Sequence, residues 1–91
     1  MHAAQKQIEE RIEICTHWLQ ELVEPHGLMV EYKPRAGRWV HDHNWWFTFG
    51  EPPQFWGAIH LRTIEITMEK HGIRGILQER FNSLLKSRNA S

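Results

Sequence analysis

Between residues 3 and 24, apolar side chains recur at spacings of three and four: Ile8, Ile12, Cys15, Leu19, Leu22 and Val23 form one stripe, with Trp18 at its edge. The opposite face is charged, so the pattern predicts an amphipathic helix with one face for a core. Pro25 and Gly27 end it, because proline disfavours helical geometry in the residue before it and glycine accepts a left-handed cap. The period then shortens to two. Leu28, Val30 and Tyr32 alternate with Met29, Glu31 and Lys33, as in a half-buried strand. Residues 34–37, Pro-Arg-Ala-Gly, supply a turn, so a hairpin is expected.

Odd positions from 39 to 49 read Trp39, His41, His43, Trp45, Phe47 and Phe49, which would put aromatic and imidazole rings along one face of an extended chain. Asp42, His43 and Asn44 are turn-favouring types. A break there is expected, leaving short strands at 38–41 and 45–49; an unbroken, bent strand is the alternative. Pro52 and Pro53 predict a loop over 50–57 that presents Phe55 and Trp56. Residues 58–69 are rich in Ile and Thr, and as a helix their apolar side chains would not share one stripe. A strand is therefore expected, buried on both faces or bulged near Arg62, although residues 70–73 resemble a glycine-capped helix end. Ile73, Ile76, Leu77, Phe81, Leu84 and Leu85 define a second amphipathic helix over 73–88, with Lys86 and Arg88 complementing its dipole.

The order helix, hairpin, further strands, helix predicts one α+β domain over residues 1–91, an antiparallel sheet of three to four strands with both helices on one face. Ninety-one residues support a single core. Five Trp, four Phe and one Tyr give that core unusually large apolar pieces, and four of the Trp fall between Trp39 and Trp56.

Eleven basic and eleven acidic residues balance, which disfavours broad nucleic-acid binding and an acidic nucleic-acid mimic alike. The signs are unevenly placed. Glu9, Glu10, Glu13, Glu21 and Glu24 mark the first helix, whereas Arg74, Arg80, Lys86 and Arg88 mark the last. Neutrality lowers repulsion between copies, so a homodimer is expected. The single Cys15 excludes an intramolecular disulfide, and no apolar run suits a signal peptide or a membrane span. A cytoplasmic location is the corresponding expectation.

Cys15 lies in the helix stripe, where a thiol reads as a small core residue. No nucleophile motif, phosphate loop or paired-glycine fingerprint is present, and no cofactor is implied; the expectation is a non-enzymatic protein. Adjacent Trp45 and Trp46 point to opposite faces if both are on a strand, so at least one large ring should remain near the surface. An interface for another protein follows, built on Trp46, Phe55 and Trp56 with Trp39 and rimmed by Arg35, Arg38 and Arg62. The role expected is regulator, inhibitor or assembly adaptor. The alternative uses residues 41–46 for a metal ion or nucleic acid. His41 and His43, two apart on a strand, share a face, but spacing provides no third ligand.

Overall fold

The structure is a computed structural model and describes residues 2–33, 42–67 and 70–89. Helix α1 (His2–Val23) runs as its period demands. Cys15, Leu19 and Val23 are buried along its stripe, with Ile8, Ile12, Trp18 and Leu22 half-buried beside them. A single 3-10 turn, Glu24–His26, follows. Gly27 then takes φ 72°, a left-handed conformation that a side chain would strain, and its N–H reaches the Glu24 carbonyl at 3.0 Å.

Strands β1 (Met29–Tyr32), β2 (Asp42–Phe49) and β3 (Gln54–Arg62) form an antiparallel sheet in the order β1-β2-β3. Val30 opposes Phe47, Tyr32 opposes Trp45, Ile59 also opposes Trp45, and Leu61 opposes His43. These residues therefore share one face. Trp45 on that face donates its indole N–H to Thr16 Oγ1 of α1 at 2.8 Å. Two residues further, Phe47 meets Phe81 edge to face at 5.7 Å, and Phe81 belongs to α3 (Lys70–Asn89). Both helices thus cover the same side of the sheet, completing the α+β arrangement. Trp45, Phe47, Ile59, Leu61, Leu19, Ile73, Leu77 and Phe81 form one buried cluster between the layers.

Four expectations are corrected, each by pairing or capping that outweighs local preference. No break interrupts 42–44: as the central strand, β2 is held on both sides, with Asn44 O accepting the Lys33 N–H at 2.7 Å and Asn44 opposing His60. The region 50–57 is loop only as far as Pro53. Gly50, at φ 82°, and the two prolines make the turn, and residues 54 and 55 already pair with 49 and 48. The strand expected over 58–69 stops at Arg62, and α2 (Thr63–Ile66) follows because the Glu65 carboxylate accepts the Arg62 N–H at 2.9 Å, a capping arrangement. Residues 70–73 open α3 instead of closing a helix. The turn at 34–37, the strand at 38–41 and residues 68–69 lie outside the described residues.

The Trp45–Thr16 bond ties sheet to helix with a fully buried indole. Thr16→Val keeps the shape and removes the acceptor, and is expected to lower unfolding free energy by about 1–3 kcal/mol, the cost of an unmet buried donor, read from urea denaturation.

Candidate protein-binding face

The face of the sheet away from the helices is built by a register shift. Phe47 opposes Gly57 but Thr48 opposes Phe55, so Trp56 is an extra residue in β3, a β-bulge. Strict alternation would place Phe55 on the helix side with Gly57 and Ile59. The bulge reverses its parity. Phe55 emerges on the open face with its ring 5.3 Å from Trp46 at 72°, an edge-to-face pair, and remains 56% exposed.

Trp46 is the half-buried centre of this face. It opposes Glu31 on β1 and Ala58 on β3, and Lys33 Nζ lies 5.3 Å from its ring centroid. Met29, opposite Thr48, is 67% exposed. Lys33 also pairs with Glu31 at 3.1 Å, and Arg62 stands at the far end of β3, exposed, 3.8 Å from Glu65. The result is an apolar centre of Met29, Trp46 and Phe55 with charges of both signs near it.

Trp56 is separated from this group. Its ring turns to the helix side, 6.2 Å from Phe47 and 5.8 Å from Phe81, with the Arg88 guanidinium 5.0 Å above it. Of the residues singled out by sequence, Trp46 and Phe55 come together, Arg62 lies on the same face, and Trp56 packs elsewhere. Arg35, Arg38, Trp39 and His41 lie outside the described residues. Met29 was missed, although its place in the strand alternation, opposite in parity to Val30, was the signal for it. Nothing in the residue types located the bulge.

His43 is engaged on the helix side. Its Nδ1 is 2.7 Å from the Tyr32 hydroxyl, itself held protonated to higher pH by burial, and its Nε2 is 3.1 Å from Thr63 Oγ1. Metal binding would have to displace one of these partners. Among the described residues no three His, Cys, Asp or Glu side chains are grouped to hold an ion. Among the described residues the buried Asn44 Nδ2 has no hydrogen-bond partner.

The outer edge of β3 is clamped at its Arg62 end. Arg80 donates to the His60 carbonyl and to the Glu65 carboxylate, while that carboxylate also receives the Arg62 N–H. Burial would raise the Glu65 pKa, but the Arg62 amide and the Arg80 and Arg62 guanidinium groups outweigh it and hold the group below the usual carboxylate range. In the core, burial pushes the Cys15 thiol up to about 11 against a smaller opposing pull from Arg11. A neutral, enclosed thiol is a poor nucleophile.

No protein-family model matches the chain, and no curated protein or solved structure matches it significantly.

Two outcomes follow from the titrating groups. Because folding depresses the Glu65 pKa, its contribution is complete above the unfolded value of 4.5 and is lost as pH falls through the folded value. Glu65→Gln should therefore lower the urea midpoint at pH 7, and the gap to wild type should close on acidification below pH 4.5. Cys15 should resist a chromogenic disulfide reagent at pH 8 in the native protein and react fully in denaturant, followed by absorbance.

Proposed function

We propose that the protein is a non-enzymatic interaction module, a regulator, inhibitor or assembly adaptor, that binds other proteins through the open face of its sheet. Without another partner, two copies close over that face as a homodimer. The observation that carries this reading is the Trp46–Phe55 pair beside exposed Met29, on the side of the sheet that neither helix covers. Large rings and methionine are what interface centres use, and contiguous exposed apolar patches on small domains tend to be binding surfaces. Glu31 and Lys33, side by side at the margin, allow either charge to be met by a second copy, and zero net charge leaves little repulsion between copies. The buried thiol and the doubly engaged His43 support the non-enzymatic part of the reading. No helix among the described residues is long and apolar enough to cross a membrane, and a cytoplasmic location accords with the lone reduced cysteine.

Native mass spectrometry tests this directly. Wild type should give a dimer, and Met29→Ser combined with Phe55→Ser should give a monomer whose tryptophan emission and urea midpoint stay near wild type, since both side chains are already exposed. A wild-type monomer at high micromolar concentration overturns the homodimer. A salt-sensitive mobility shift with single-stranded RNA that the double variant abolishes would instead assign the same rings to base stacking.

A further inference from the structure

The two edges of the sheet are finished differently. On β3, an ion pair between Glu65 and Arg80 spans the outward Arg62 N–H and His60 carbonyl. On β1, the pairing of Lys33 N with Asn44 O places residues 29, 31 and 33 in hydrogen-bonded positions toward β2, so the N–H and C=O groups of Val30 and Tyr32 point outward. Among the described residues a single neutral side chain meets them: Gln20 Oε1 of α1 accepts the Val30 N–H at 3.2 Å. That amide oxygen stands where the carbonyl of a neighbouring strand would be. Among the described residues no hydrogen bond meets the Val30 carbonyl or either Tyr32 backbone group along the edge.

Beside this edge runs a groove between β1 and α1 of about 490 Å³, with Ile12, Val30 and Tyr32 as its apolar surface and Glu13, Thr16, His17 and Gln20 on its α1 side. No Lys or Arg among the described residues lines it, and Glu9 precedes Glu13 by one turn on the same helix face. An edge with unmet backbone groups and an adjacent apolar trough are the components of β-strand addition, in which main-chain bonds give affinity and alternate side chains give specificity, and the Glu13 carboxylate on the trough's wall favours a basic side chain.

We propose that the β1 edge is a strand-addition site, which takes an extended segment of a partner protein, apolar residues alternating with Lys or Arg, into the groove between β1 and α1. Gln20 is the plug of that site, displaced when the incoming carbonyl takes the Val30 N–H. A second copy is the poorer occupant, because β1-to-β1 pairing would bring two Glu9–Glu13 rows toward each other. The four-residue length of β1 limits pairing to a short segment and makes the site one for reversible capture. This site is independent of the open face.

Fluorescence anisotropy with a labelled decapeptide of alternating Val and Lys tests the assignment. Binding is expected, with alternate-residue N-methylation abolishing it and a Val-Glu peptide at least about tenfold weaker. Gln20→Ala should tighten binding by unplugging the edge, and Glu13→Lys should weaken it, each with unchanged far-ultraviolet dichroism. The combined Met29→Ser and Phe55→Ser protein should bind like wild type. Equal binding of the N-methylated peptide, an unchanged affinity for both Gln20→Ala and Glu13→Lys, or loss of binding in the open-face variant overturns the proposal. So does a Gln20→Ala protein that dimerises and takes up no peptide.

Discussion

The structure depends on two rings two residues apart in the central strand. Trp45 is bonded to α1 and Phe47 is packed on α3, so the period of a strand, by itself, forces both helices onto one side of the sheet. Everything on that side is consequently filled: the thiol, the aliphatic stripes of both helices and the Tyr32–His43–Thr63 hydrogen bonds. Of opposite parity, Met29 and Phe55 are left to solvent and Trp46 is half-buried between them, whereas Asn44 is buried. The buried residues form one cluster, in which Trp45, Phe47 and Phe81 are the largest fully buried side chains.

Exposure of the opposite face is sharpened by the bulge at Trp56. One inserted residue moves Phe55 from the helix side to the open side and lets Trp56 cover Phe47 and Phe81. The same irregularity therefore completes the core and creates the aromatic pair with Trp46. Core completion and surface presentation are not separate features here, since a register without the bulge would alter both at once.

The edges add a second level of organisation. An ion-paired clamp covers one end of the β3 edge, while one glutamine side chain meets the β1 edge, so the two edges differ. Helix α1 contributes to both the core and that asymmetry: Leu19 is buried, and Gln20, the next residue, reaches the strand edge. Neighbouring positions on one helix thus serve the core and the strand edge.

Local periodicity in the chain was enough to determine both long helices, the first strand and the left-handed Gly27, because spacings of three and four, alternation, and Pro-Gly punctuation each reflect forces acting within a few residues. It also determined that Trp45 and Trp46 must diverge. Tertiary pairing decided the rest. Asp42, His43 and Asn44 favour turns in isolation, but β2 has a partner on each side and stays extended. Arg62 ends a strand because the Glu65 carboxylate caps a helix there and Arg80, fifteen residues beyond Glu65, secures it. The location of the bulge, and with it which of Phe55 and Trp56 faces outward, follows from how β3 fits against β2 and α3 together, a condition that no segment satisfies by itself.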